Sequence, residues 1–389
     1  MSNASTEKLH EPLFHIAKRG GIPVWKGIVI RAVAILIGLI VGGIIIVAST
    51  TKDKSFFEVY SSLVNGIFGT ERRWWLFLQD TCLLLGVSLA LVVAFKMKFW
   101  NLGGNGQILM GCLASTACMF YFGGKAPTVV VNLMMVVASI LAGAIWAVIP
   151  ALFKAFFKTN ESLFTLMMNY VAMYLIKAII SAWYPTGTGT MSPLNQGVLP
   201  TLGQGQMGKS MLTIIVVVVL TAAMFAYLKF SKHGYELSVV GESENTARYI
   251  GVNVKAVVIR TMVLSGAVCG VIGLLLSGSI NHTVSDSMDG NMGFTGIMAA
   301  WLGKFNPLII ILTSAFITFV TRGMAQVRTD FGFTNSALAD IVIGIIYFCV
   351  IGCEFFVSYQ IHFNSHAKEK LEKIKNMFKR EKKAKEDEK

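Results

Sequence analysis

The sequence predicts an all-α polytopic membrane protein. Of its 389 residues, 54% are hydrophobic and 14% are charged, whereas soluble domains usually carry about 25% charged residues. Many of the charged residues lie within 365–389, and the others fall mostly between long apolar runs. The composition therefore excludes an ordinary soluble enzyme, a disordered chain and a disulfide-stabilised scaffold.

Eight apolar runs are long enough to cross a bilayer, because a spanning helix needs about 20 mostly apolar residues. Two further runs are short or interrupted by glycine, at 106–122 and 293–303. The eight long runs cover residues 27–49, 76–95, 128–151, 163–184, 211–230, 257–280, 307–324 and 338–357.

The distribution of basic residues indicates that the short runs cross as well. With ten crossings and a cytoplasmic N terminus, 23 of the 34 Lys and Arg residues face the cytoplasm and eight face outward, as the positive-inside rule requires. If only one short run crossed, the basic tail would lie outside. The sequence therefore predicts about ten transmembrane helices with both termini cytoplasmic: a segment at 1–26, a membrane domain at 27–357 and a basic tail at 358–389.

The two short runs occupy corresponding places in the chain. Each follows a long run through a polar turn that contains glycine, at 103–106 and at 289–293, and the charge count places these turns on opposite faces. This pattern predicts two inverted repeats with short, broken helices, which in transporters mark a site near the bilayer midplane. The alternative is that the glycines only allow close helix packing.

The segment 231–256 is the longest cytoplasmic connection within the predicted membrane domain. Ser243 is placed to cap a short helix, with Glu242 and Glu244 near its positive end, and Gly251 provides a stop. Such a helix could dock a cytoplasmic partner. A solvated connector is the alternative.

Several segments, in order, resemble the signatures of one family. They resemble permeases of ABC importers in the ribose/branched-chain amino acid class, and in particular their nucleoside and simple-sugar branch. The segments are Phe99–Gln107, Asn160–Ala172, Gly234–Leu237, Val240–Gly241, Ala247–Asn253, Gly293–Ala300 and Asn306–Leu308.

The resemblance implies a non-catalytic transmembrane subunit in the bacterial plasma (inner) membrane. Such a permease binds no cofactor, because ATP and Mg²⁺ bind to partner ATPase subunits. It works with those ATPases, with a second permease subunit, here expected to form a heterodimer, and with an external substrate-binding lipoprotein. Nucleic acid is not an expected partner, since the basic excess serves topology.

We expect polar amides to contact the solute, because an amide offers donors and acceptors without a charge. Aromatic rings beside them could stack on a base or sugar, although aromatic residues near a membrane interface are more often anchors. The amide candidates are Asn105, Gln107, Asn169 and Asn291, and the aromatic candidates are Phe99, Trp100, Tyr170 and Phe294.

The resemblance also assigns residues that couple the permease to its ATPases. Two departures from the family pattern are notable. Asn105 stands where the family usually has Glu, and 242–244 replaces a typical Gly-x-Asn. The coupling candidates are Gly241, Glu242, Glu244, Ala247, Arg248, Tyr249 and Gly251.

The segment Gly203–Ser210 matches the sequence pattern of a phosphate-binding loop, but its sequence context does not fit that loop. That loop needs a preceding strand and a following amphipathic helix, whereas this segment follows a turn-rich stretch and precedes a strongly apolar run. It also lies outside by the charge count. The sequence therefore predicts no nucleotide site here, and it shows no catalytic or metal-binding cluster.

The resemblance implies transport of a nucleoside by alternating access, with a pentose or other simple sugar as the second choice. Asp80 and Lys177 lie centrally in predicted helices, where charges usually have partners or line a hydrated cavity. Too few acids lie deep enough for a proton relay. An ion-coupled secondary transporter is the competing class.

Overall fold

The computed structural model describes residues 14–18, 23–50, 55–185, 191–333 and 337–363. In these ranges the chain is predominantly α-helical, and one pair of short strands joins residues from its two ends. The elements are β1 (Phe14–Lys18), α1 (Val24–Ser49), α2 (Phe56–Phe68), α3 (Glu71–Lys96), α4 (Gly104–Phe122), α5 (Thr128–Phe157), α6 (Glu161–Trp183), α7 (Gly205–Phe230), α8 (Lys232–Glu242), α9 (Glu244–Tyr249), α10 (Val254–Leu274) with a π-helical continuation (Leu275–Asn281), α11 (Met292–Leu302), α12 (Pro307–Phe331), α13 (Ala337–Ser358) and β2 (Tyr359–Phe363).

Eight of the described helices are long and apolar enough to cross a membrane. They are α1, α3, α5, α6, α7, α10, α12 and α13, and they coincide with the eight long runs predicted from the sequence. The two short runs are also helical: α4 has 19 residues with a polar first turn, and α11 has 11 residues. The prediction of a mostly helical chain with eight helices of spanning length is therefore confirmed.

The helices α1 and α13 and the two strands form one compact unit. Arg31 of α1 donates to Glu354 of α13 at 2.6 Å between Nε and Oε1. The strands pair antiparallel, with Phe14 opposite Phe363. The all-helical expectation does not include this short ladder.

The helices α3, α4 and α10 are the most deeply buried helices of the second unit, which runs from residue 57 to 334. Every residue of α3 from 83 to 95 is buried, which is the burial expected of a helix that is apolar on all sides. The helices α5, α6, α7, α11 and α12 pack around this core. The core thus holds α4 in place, and α4 begins at the candidate site.

Glycine lets α5 and α10 approach each other at backbone distance. A Cβ atom on Gly270 would lie 2.2 Å from the carbonyl oxygen of Ser139, and one on Gly143 would lie 2.3 Å from that of Gly266. Small residues serve this purpose in membrane helix packing. Here the close-packing interpretation of glycine applies.

The predicted cytoplasmic connection contains two helices, α8 and α9. Ser243 caps α9 by accepting a hydrogen bond from the Thr246 amide at 3.3 Å. Gly251 follows with a φ of +82°, a left-handed conformation that glycine adopts without strain. The short helix and its stop agree with the sequence prediction, whereas α8 is an addition to it.

Candidate functional site

The N-terminal ends of α4 and α11 meet. The Asn105 side-chain oxygen accepts a hydrogen bond from the Gly293 amide at 2.6 Å. The Asn105 side-chain amide lies 3.4 Å from the side-chain oxygen of Asn291. A Cβ atom on Gly104 would lie 3.2 Å from Gly293 Cα, so glycine permits this junction of two short helices.

The side chain of Asn169 fixes the start of α4 from the neighbouring helix α6. Its oxygen accepts from the Gly106 amide at 2.8 Å, and its nitrogen donates to the Leu102 carbonyl at 2.8 Å. The Thr165 hydroxyl, one turn earlier, accepts from the Leu102 amide at 3.1 Å. The turn between α3 and α4 is therefore held by polar groups of α6.

A second amide pair lies deeper, behind this turn. Asn101 is fully buried; its nitrogen donates to Ser265 of α10 at 3.2 Å, and its oxygen accepts from Gln107 at 3.2 Å. Gln107 is 1% exposed. Gln107, a predicted solute contact, thus lies within the packed network, and Asn101 is an anchoring residue that was not among the predicted site residues.

A cavity of about 470 Å³ opens beside the junction of α4 and α11. This volume is in the range typical of small-molecule sites. Its walls come from α4, α6, the turn before α11, and α11 itself. Five of the eight predicted solute contacts line it: Asn105, Asn169, Tyr170, Asn291 and Phe294.

Two carboxylates that were not among the predicted site residues also line this cavity, namely Asp286 and Asp289. The Lys177 ammonium of α6 lies 3.1 Å from the Asp286 carboxylate, which identifies the partner of one central charge. Both aspartates lie in the turn before α11, and a search for long apolar runs passes over such a turn. Their position just before a glycine-broken helix is the signal that could have found them.

The other two aromatic candidates lie away from this cavity. Phe99 is 3% exposed. Trp100 contacts Trp301 at the end of α11, with ring centroids 5.4 Å apart. Phe95 completes this aromatic cluster, 5.7 Å from Trp100. These rings connect the turn after α3 to the C-terminal end of α11.

The coupling candidates divide into anchored and exposed residues. A Cβ atom on Gly241 would lie 2.0 Å from the carbonyl oxygen of Lys96, at the end of α3. Ala247 is fully buried, whereas Tyr249 is 92% exposed. Arg248, also exposed, pairs with Glu244 at 3.2 Å. The segment therefore rests on α3 and presents a polar and aromatic surface outward.

An ion pair fastens α8 to α10. The Arg260 guanidinium donates to Glu236 at 2.8 Å. This hydrogen bond holds the pKa of Glu236 below its ordinary value, against the opposing effect of burial. Because the carboxylate stays ionised at neutral pH, its ion pair with Arg260 holds α8 against α10.

The segment that resembles a phosphate-binding loop forms the start of α7. The Ser210 hydroxyl is buried and donates to Gln79 of α3 at 2.8 Å. Gly208 packs against Gly203, since a Cβ atom on Gly208 would lie 2.2 Å from the Gly203 carbonyl oxygen. Residues 191–204 form no strand. The local geometry thus differs from that of a nucleotide-binding loop.

Asp80 of α3 forms an ion pair with Arg322 of α12. The pair lies in a second cavity, of about 460 Å³, whose other walls include α11 and the π-helical segment. This identifies the partner of the second central charge.

Among the described residues, no group of three or more His, Cys, Asp or Glu side chains could hold a metal ion.

Comparison with known proteins agrees with this architecture. A family model described as the branched-chain amino acid transport system permease component matches residues 75–351. The guanosine ABC transporter permease protein NupP of Bacillus subtilis is 28% identical over 86% of this chain and 95% of its own length. The glucose ABC transporter permease protein TsgB13 of Haloferax volcanii is 26% identical over 88% and 92%. The nucleoside ABC transporter permease protein NupB of Lactococcus lactis is 24% identical over 84% and 91%. Because the family model matches more than half of the chain, the protein belongs to the family of branched-chain amino acid transport system permease components.

Proposed function

We propose that this chain forms the translocation pathway for a nucleoside in an ABC importer of the bacterial plasma membrane. The observation that carries the proposal is the cavity at the junction of α4 and α11. Asn105, Asn169 and Asn291 supply amides, and Tyr170 and Phe294 supply ring faces. These groups suit a solute that has hydroxyls and a base. Two of the relatives named above carry guanosine or nucleoside in their names.

A simple sugar is the second candidate. The relative from Haloferax volcanii is a glucose permease by name, and amides hydrogen-bond to sugar hydroxyls as readily as to ribose. Competition between labelled guanosine and unlabelled pentose in a transport assay separates the two.

The proposed topology has ten crossings, with α4 and α11 as the short ones and both termini in the cytoplasm. Each short helix follows a long one, α3 or α10, through a turn that contains a left-handed residue, Lys98 or Asn291. The two N-terminal ends meet, which is the arrangement expected of broken helices in inverted repeats. We infer that the pathway passes this junction.

The proposed partners are two ATPase subunits at α8 and α9, a second permease subunit that makes a heterodimer, and an external binding lipoprotein. This chain itself binds no nucleotide, metal or nucleic acid. Movement of the ATPases would press on Tyr249 and Arg248, which are exposed. The contact of Gly241 with the end of α3 would carry that movement to the turn that holds α4. The cavity would open outward first and then inward.

Replacing Tyr249 or Arg248 by alanine is expected to lower ATP-driven guanosine uptake about tenfold, because exposed aromatic and arginine side chains often dominate an interface. Capture of guanosine by the binding protein should be unchanged. Proteoliposomes that contain the whole transporter provide the measurement. Unlabelled guanosine should compete for uptake, and unlabelled ribose should not.

Phe57→Ala is the matched control, since Phe57 is 80% exposed and belongs to α2 rather than to α8 or α9. It should leave uptake unchanged. Normal uptake in both the Tyr249 and Arg248 variants would remove the coupling assignment, and competition by ribose alone would favour the sugar.

A further inference from the structure

The charge balance of the cavity beside α4 and α11 points to a selectivity function. Both helices direct their N-terminal ends toward it, since Asn105 and Asn291 line it. A helix N terminus carries about half a positive charge, and such ends commonly bind anions. Two converging ends would therefore favour a phosphate or carboxylate unless another group offsets them.

The caps on these helix ends are neutral. Asn105 accepts from the Gly293 amide of α11, and Asn169 accepts from the Gly106 amide of α4. An amide cap satisfies an N–H group but adds no negative charge. The caps alone therefore leave the positive potential of the two helix ends in place.

The charged side chains around the cavity differ in their pairing. Asp286 lies 3.1 Å from the Lys177 ammonium, so these two charges largely cancel. Asp289 is 6% exposed, and its carboxylate accepts from the Asn291 amide at 3.1 Å. Among the described residues it has no cationic partner. One buried carboxyl group with no cationic partner thus lines a cavity that faces two half-positive helix ends.

We propose that Asp289 makes this cavity selective for uncharged solutes, by offsetting the two helix N termini that would otherwise attract an anion. An unphosphorylated nucleoside or sugar is admitted. The carboxylate group of Asp289 remains available to accept a hydrogen bond from a hydroxyl or N–H group of the solute. A phosphorylated form is rejected, because it would lose its hydration without gaining net attraction from a cavity in which Asp289 offsets the helix ends. The inference uses the proposed function only to place the pathway at this cavity.

The electrostatic potential of the cavity can be measured directly. Ser287 lines the cavity and is exposed, so Ser287→Cys provides a thiol there. The full chain in lipid nanodiscs, with its partner subunits, is treated with cationic and anionic methanethiosulfonate reagents of matched size. The ratio of the reaction rates with the two reagents is divided by the same ratio for a free thiol in solution, which gives the corrected ratio. The six native cysteines are accounted for with the chain that lacks Ser287→Cys.

In the Ser287→Cys chain that retains Asp289, the corrected ratio should lie within about threefold of unity, since the opposite charges nearly cancel. Asp289→Asn should shift the ratio toward the anionic reagent by about tenfold, the size expected from one charge at close range in a partly solvated site. Asp289→Glu should give the same corrected ratio as the Ser287→Cys chain that retains Asp289. Glu71→Gln, which removes an exposed carboxylate at the start of α3, should also leave it unchanged.

A strong preference for the anionic reagent while Asp289 is present would overturn the proposal, and this result needs no variant at Asp289 to fold. An unchanged ratio in a folded Asp289→Asn chain would overturn it as well. These rates are measured without any transported solute. A transporter that does not take up nucleosides would therefore contradict the proposed function and leave the selectivity measurement intact.

Discussion

Replacing Gly270 by valine is expected to destabilise the folded permease strongly. A Cβ atom there would lie 2.2 Å from the Ser139 carbonyl oxygen and 3.3 Å from Ile140 Cα. These are backbone atoms of α5, so α5 and α10 would have to separate. Overpacking of a core usually costs about 1–3 kcal/mol, and we expect the upper end or more. The melting temperature in detergent should fall by roughly 10 °C.

Gly344→Val is the matched control for this change. Gly344 also lies in a membrane helix, α13, and a Cβ atom there would have no atom within 4 Å. The control should melt within a few degrees of the unmodified chain. Equal melting temperatures for the two variants would contradict the close backbone packing of α5 and α10.

Removing the cation of the Asp80–Arg322 pair is expected to have the next largest effect. Arg322→Gln leaves the Asp80 carboxylate of α3 without its partner. Breaking a buried pair costs about 3–5 kcal/mol and a surface pair less than about 1 kcal/mol. Both side chains are about one third exposed (30% and 36%), so we expect a loss of about 2 kcal/mol. Thermal unfolding in detergent provides the measurement.

A second substitution that removes the charge of Asp80 is expected to restore stability to the Arg322→Gln variant. Asp80→Asn combined with Arg322→Gln removes both charges and should recover most of the stability lost in Arg322→Gln alone. Arg328→Gln removes an exposed arginine from the same helix and should have little effect. Additive losses in the double variant would mean that the two side chains do not interact.

The long helices could be predicted because their signal is local. An apolar run of sufficient length specifies each one, and Ser243 with Gly251 specifies the ends of α9. The shorter elements lack that signal. The 13 residues of α2 are too few for a spanning helix, and its buried residues Val59, Leu63 and Ile67 form only one apolar face. The two strands pair across nearly the whole chain, so no local pattern predicts them.

The amide side chains of the candidate site could be predicted from the sequence, whereas the pairing of its charged side chains could be predicted only in part. Asn105 and Asn169 stand out because polar residues are rare beside apolar runs. Their roles as caps of α4 and α11 depend on how the two short helices meet. The partners of Asp80 and Lys177 lie 242 and 109 positions away in the sequence, at Arg322 and Asp286. Only the packing of the helices shows which charges are paired, and hence that Asp289 has no cationic partner among the described residues.

The requirement for separate ATPases tests the central claim most directly. The permease pair and its binding protein are reconstituted in liposomes, with and without the ATPase subunits, and labelled guanosine uptake is followed with and without an imposed ion gradient. We predict accumulation only when the ATPases and ATP are both present. Accumulation driven by an imposed ion gradient without ATPases, or ATP hydrolysis by this chain alone, would contradict the account.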